Sequence, residues 1–159
     1  MDDAVIARAL HVLAIAIWIG GVAMVTMVVL PAARRAETPA EGLALLSAIE
    51  RRFAGQARLA TLVAGLSGLY MIWRYDLWVR FAVAEYWWMH AMVGVWLVFT
   101  AMLFIIEPLF LERWLERCAR ATPAATLAWV ERLHWLLLAL SVVTVLGAVA
   151  GSHGLNFAA

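Results

Sequence analysis

From Ala9 to Leu30 the only ionisable side chain is His11. A helix at the surface of a soluble protein needs one polar face, and this segment has none. An uninterrupted apolar run of about 20 residues is what the hydrocarbon core of a bilayer requires of a spanning helix. Three more windows have the same character: Phe53–Trp73, broken by Arg58; Tyr86–Ile106, holding His90; and Leu133 to about Gly151, holding His134 near its start. The whole chain follows suit, with 66% hydrophobic and 14% charged residues among 159, where soluble domains average roughly 45–50% and about 25%. This excludes an ordinary soluble enzyme, a disordered chain and a basic nucleic-acid-binding module. The expected fold is all-α: one domain over 1–159, an integral membrane antiparallel four-helix bundle of two helical hairpins, with spans of about 5–31, 53–74, 86–107 and 131–152.

The connections carry their own signals. In Thr38-Pro39-Ala40-Glu41 the threonine caps, the proline occupies the first helical position and the glutamate completes a capping box. The second helix is therefore expected to begin near Pro39, well before its membrane segment, and Thr122-Pro123 to start the fourth helix in the same way. The third should kink at Pro108, which removes a backbone donor, and continue to about Arg120 with Glu116 and Arg120 paired one turn apart. Arg58 is expected to snorkel to the surface from the edge of the second span. The first span starts with Asp2-Asp3 and reads as a retained helix, not a cleaved leader.

The chain has twelve basic residues, all arginine. Nine lie in the connections between spans 1–2 and 3–4 and three on the other side, which orients both termini away from the cytoplasm. The outer connection, Arg74–Glu85, is rich in aromatic residues and reads as a segment in the membrane interface. A single cysteine, Cys118, excludes an internal disulfide and any cysteine-rich metal site.

An ionisable residue inside a span is costly and so marks a candidate site. His11 and His90 both fall roughly 10 Å outward of the middle of their antiparallel spans at about 1.5 Å per residue. Two facing imidazoles at one depth suit axial ligation of haem iron. Gly94, one turn from His90, leaves room, and Trp18, one stripe position along from His11 and Ile15, offers a ring wall. The expected geometry has the stripe His11, Ile15, Trp18, Val22 facing the stripe His90, Gly94, Leu97, Ala101. His153, at the outer end of the fourth helix, turns the same residues into a three-imidazole copper site, to which Met89 adds a thioether. The bland alternative is that these histidines only hydrogen-bond across helices and that Gly147 and Gly151 are close-packing positions. His134 lies on the other side of the membrane and reads as part of an interfacial belt.

Leu10-His11-Val12-Leu13-Ala14-Ile15-Ala16-Ile17-Trp18-Ile19-Gly20-Gly21, followed by Pro31-Ala32-Ala33-Arg34, resembles the first helix of the CopD-like (copper resistance D) membrane family. Arg51-Arg52-Phe53, Gly65-Leu66-Ser67-Gly68-Leu69-Tyr70 and Trp88-Met89-His90 extend the resemblance along the chain. It implies copper handling in the bacterial cytoplasmic membrane. The architecture is also similar to HemJ-type protoporphyrinogen oxidases, which implies a b-type haem. That family has His-x-Lys where this chain has His90-Ala91-Met92, so the resemblance extends to a haem site and not to the oxidase reaction. Three functions are therefore expected: haem b held by His11 and His90 for electron transfer with a redox partner or other membrane subunit; copper transport or resistance through His11, His90 and His153; or a cofactor-free accessory subunit in the bilayer. No nucleophile–base pair, phosphate-binding glycine loop or intramembrane carboxylate pair points to a particular enzymatic reaction.

Overall fold

The structure, a computed structural model, describes residues 2–111, 117–118 and 121–154. The described residues are helical almost throughout. The first column is α1 (Asp2–Met24), a π-helical turn (Val25–Val29) and α2 (Leu30–Arg34). The second is α3 (Pro39–Arg74). Two short 3-10 segments (Leu77–Ala82 and Ala84–Tyr86) lead to α4 (Trp87–Ala101), which continues as a π-helix over Met102–Leu111. The last column is α5 (Pro123–Ser152). Asp3 accepts a hydrogen bond from Tyr70 Oη at 2.7 Å, which sets the start of α1 beside the end of α3. Trp88 lies against Gly151, which sets the start of α4 beside the end of α5. The four columns are thus antiparallel, with the beginning of α1 and the end of α5 at the same end of the bundle.

Three segments are long and apolar enough to cross a membrane: Asp3–Arg34, Ala84–Leu109 and Pro123–Ser152. They contain the expected spans 5–31, 86–107 and 131–152. The expected span 53–74 lies within α3, which is not one of the three. Arg58 interrupts that span, Arg51 and Arg52 immediately precede it, and only Leu59–Trp73 is free of charge.

Helix starts follow their local chemistry. Thr38 Oγ1 accepts from Glu41 N at 3.3 Å and the Glu41 carboxylate accepts from Thr38 N at 3.3 Å, a complete capping box. Thr122 differs: Pro123 is at the first helical position, but the Thr122 side chain makes no capping bond. The third helical residue there is Ala125, so the reciprocal carboxylate is missing. The expected Glu116–Arg120 pair lies outside the described residues.

Both prolines inside spans sit at π-helical segments. Before Pro31, Leu30 N–H reaches back five residues to Val25 O. Pro108 lies inside the π-helix Met102–Leu111. In that five-residue register Pro108 lacks the N–H that would meet Leu103 O. Arg58 supplies the donor instead: its Nε donates to Leu103 O at 3.0 Å, and its Nη2 lies 3.5 Å from Glu107 Oε2. Arg58 keeps a partly exposed side chain while its guanidinium engages a carbonyl and a carboxylate of the neighbouring helix.

α1 packs most extensively on α3, and α4 on α5, with α1 and α4 diagonal across the bundle. They meet through Trp18 and Phe99, whose rings are edge-to-face at 4.9 Å. Around this contact lie Ala14, Val22, Ala60, Ala64, Leu137 and Leu138. A second core of Val25, Leu30, Leu43, Leu46, Leu127 and Val130 closes the end near the α2–α3 turn. Bulky aromatics fill glycine notches between columns. A Cβ on Gly65 would lie 2.5 Å from Trp96 Cε2, and one on Gly147 would lie 2.5 Å from Trp87 Cη2. Gly21 similarly receives Phe53, and Gly151 receives Trp88. Gly147 and Gly151 are packing positions, as the bland reading has it.

Candidate functional site

The histidines singled out by the sequence are placed apart. His11 is half-buried on the seam between α1 and α3, where its Nδ1 lies 2.8 Å from Ala64 O and 3.1 Å from Ser67 Oγ. The edge of its ring meets Gly68. His90 is exposed, its ring edge-to-face with Phe81 at 5.2 Å. His153 is exposed at the end of α5, with Nδ1 2.8 Å from Val149 O. Gly94 and Leu97, on the His90 stripe, are exposed too, and Gly94 has open space around it. The expected facing of the two stripes is thus corrected: Trp18 and Val22 face the core, but the His90 stripe points outward. The cause is steric. The face of α4 turned inward carries Trp88, Met89, Trp96 and Phe99, which fill the glycine notches and the core. Trp96 adds a hydrogen bond from Nε1 to Thr61 O at 2.9 Å. Rotating α4 to bring His90 inward would empty those contacts. Among the described residues, no three or more His, Cys, Asp or Glu side chains form a group able to hold a metal ion. The residues present do not make the two-imidazole pair that haem ligation by His11 and His90 requires.

A substantial opening lies elsewhere in the bundle. A cleft of about 670 Å³ runs from the first turns of α3 to the middle of the bundle, with walls from all four columns. Ala54 and Ala57 keep the α3 wall thin, while Trp18, Phe53, Phe99 and Trp129 supply aromatic surface. Of the residues expected to form the site, only Trp18 lines it; His11, His90, His153 and Gly94 do not. The polar lining includes Glu50, Arg51, Glu107 and His134.

His134 is the residue that sequence reasoning set aside. It is half-buried, with Nδ1 3.0 Å from Val130 O and Nε2 3.3 Å from Glu50 Oε1. The carbonyl requires a proton on Nδ1, so the Glu50–His134 contact holds one further proton between carboxylate and Nε2 or pairs a carboxylate with an imidazolium. Across the cleft Glu107 is held by Arg58. Arg34 and Glu131 pair near the same end of the bundle. The cleft therefore has a long apolar body and a polar rim on the side of the bundle where arginines concentrate. Such a volume falls in the range of roughly 300–1,000 Å³ typical of small-molecule pockets, which pair apolar walls with a few polar groups. The signal that could have found it is Glu50, which follows the apolar series Leu43, Leu46, Ile49 on α3.

No family model matches the chain, and no curated protein or solved structure is found similar to it.

Proposed function

We propose that the protein is a four-helix integral membrane protein that binds an amphipathic small molecule, apolar-bodied with a polar head, in the cleft between its helices. The observation that carries this is the cleft itself: aromatic and aliphatic walls of membrane-spanning helices, ending in the Glu50–His134 pair, Arg51 and the Arg58–Glu107 pair. In this reading α3 is the fourth span, with Arg58 engaged by Leu103 O and Glu107. The membrane in this reading is a bacterial inner membrane, and the arginine bias supports a cytoplasmic polar rim with both termini outside. A C-terminal alkaline phosphatase fusion should be active in a bacterial host and a C-terminal fluorescent protein dark; the reverse would invert the orientation.

The binding reading is tested with a long-chain alcohol as probe, in lipid nanodiscs referenced to empty nanodiscs. Ala54→Phe fills the cleft from α3 and should weaken binding at least tenfold. Leu45→Phe, on an exposed face of the same helix, should leave it unchanged. Equal affinity in all three proteins would refute cleft binding.

One observation favours a second reading. The bond to Ala64 O fixes the His11 proton on Nδ1 and leaves the Nε2 lone pair as the donor atom, the arrangement in which metal-ligating histidines are usually held. Under this reading His11 contributes one ligand to haem b or copper on the α1–α3 seam, and the protein passes electrons or handles copper with a redox partner or other membrane subunit. A Soret band, or stoichiometric copper, lost in His11→Ala would support it. Purified protein with neither would leave His11 a packing residue of an accessory subunit.

A further inference from the structure

The ionisable side chains on the cleft lining are Glu50, Arg51, Glu107 and His134. Three of them are engaged by the protein itself. Glu50 Oε1 lies 3.3 Å from His134 Nε2, and Glu107 Oε2 lies 3.5 Å from Arg58 Nη2. The Glu50–His134 contact, with one proton shared across it, is neutral as a unit, and Glu107 is balanced by Arg58. Arg51 is exposed and has no hydrogen-bond or ion-pair partner among the described residues. Its place on α3 accounts for this. Ala44, Ser47 and Ala54 share its cleft-facing stripe, one or two turns away, and their side chains are too short to cover a guanidinium. Arg58, two turns further along α3, is held by Leu103 O and Glu107. Arg52, the next residue after Arg51, is exposed too but lies off the cleft lining. Among the described residues, Arg51 therefore gives the lining one accessible and uncompensated positive charge.

Building on the cleft reading above, we infer that the ligand's polar head is an oxyanion, a carboxylate or phosphate on an alkyl chain, and that it pairs with the Arg51 guanidinium. The planar fork of N–H donors matches two oxygens of such a head. Ala54 and Ala57 lie about one and two turns deeper on the same stripe, and Trp18 and Phe99 stand on facing walls. A chain anchored at Arg51 therefore runs along an apolar track toward the middle of the bundle. A cationic head gains no such anchor, because both acids of the lining already have basic partners. A neutral head gains the apolar contacts alone. Arg51 is here a specificity-determining residue, and the small side chains around it keep its guanidinium open to the cleft.

The test compares dodecanol, dodecanoate, dodecyl phosphate and dodecyltrimethylammonium in phosphatidylcholine nanodiscs, at a pH that keeps the carboxylate ionised. Each probe is referenced to empty nanodiscs, so that its partitioning into lipid cancels. The native protein should bind at least one of the two oxyanions about tenfold more tightly than dodecanol, the low end for a charge-assisted hydrogen bond because the guanidinium is exposed. It should give the ammonium probe no such advantage. Whichever oxyanion gains more identifies the head as carboxylate or phosphate. Arg51→Gln should erase the oxyanion advantage. Arg52→Gln, an equal loss of charge one residue away and off the cleft, should retain it. Absence of an oxyanion advantage in the native protein overturns the inference whether or not the variants fold. So does an advantage that persists in Arg51→Gln, or one lost equally in both variants, which would make it a property of surface charge alone. If Ala54→Phe still weakens dodecanol, the cleft reading survives that failure. If Ala54→Phe weakens no probe, the cleft reading has failed and this inference with it.

Discussion

Arg58 and Pro108 provide a quantitative check on how this bundle tolerates a charge in a helix. Pro108 leaves Leu103 O without its donor in the π register, and Arg58 Nε fills the gap at 3.0 Å. Replacing Arg58 by Met keeps the apolar stem and removes the guanidinium. A hydrogen bond from a charged donor contributes about 1.5–3 kcal/mol. The Arg58 side chain is 38% exposed, so the lower half of that range applies to the carbonyl bond. Its half-exposed pair with Glu107 adds at most about 1 kcal/mol. Arg58→Met should therefore destabilise by about 2–3 kcal/mol. Pro108→Ala returns a backbone N–H to the same helix, so the carbonyl then has two candidate donors. In the double variant the loss of Arg58 should cost about 1 kcal/mol less than it does alone, a coupling well above the roughly 0.3–0.5 kcal/mol scatter of independent sites. Unfolding by sodium dodecyl sulfate titrated into dodecylmaltoside micelles, followed by helical circular dichroism, measures all four corners of this cycle. Additive effects would refute the idea that Arg58 is present because Pro108 is.

Further outcomes follow from the packing. Gly65→Ala should destabilise by about 1–2 kcal/mol, because its Cβ would fall 2.5 Å from a Trp96 ring anchored to Thr61 O. Gly94→Ala, with open space around it, should instead stabilise by about 0.5–1 kcal/mol through the backbone; thermal melting in detergent separates the two signs. Gly147→Leu should lower the melting temperature, since Trp87 occupies the notch; no change would show that this face looks at lipid. Thr38→Ala removes one half of the capping box and should cost about 1 kcal/mol, seen as increased amide exchange in the first turn of α3.

The sequence disclosed what is local. The start of α3 at Pro39 was legible because proline and a reciprocal Thr38–Glu41 bond leave little choice there. Three of the four expected spans coincide with helices of membrane-crossing length and apolarity. The rotation of α4 was not legible. Its residues are apolar on every side, so hydrophobic period cannot say which face points inward. The answer lay in shape, in Trp88, Met89, Trp96 and Phe99 against notches on other helices. Nor did equal depth make His11 and His90 neighbours, because depth says nothing about which helices are adjacent and α1 and α4 are diagonal. His134 read as part of an interfacial belt, and only the packing of α5 on α3 reveals Glu50 as its partner at 3.3 Å.

Residence of a small amphipathic molecule between the helices can be read out with a long-chain alcohol bearing a photoreactive diazirine, cross-linked in nanodiscs and mapped by mass spectrometry. Adducts are expected on cleft residues, with Phe99, Met102, Leu133 and Leu137 the leading sites, and should be lost in Ala54→Phe. Adducts confined to outward-facing Val12, Leu13, Leu66 and Leu146, with none on the cleft, would contradict it.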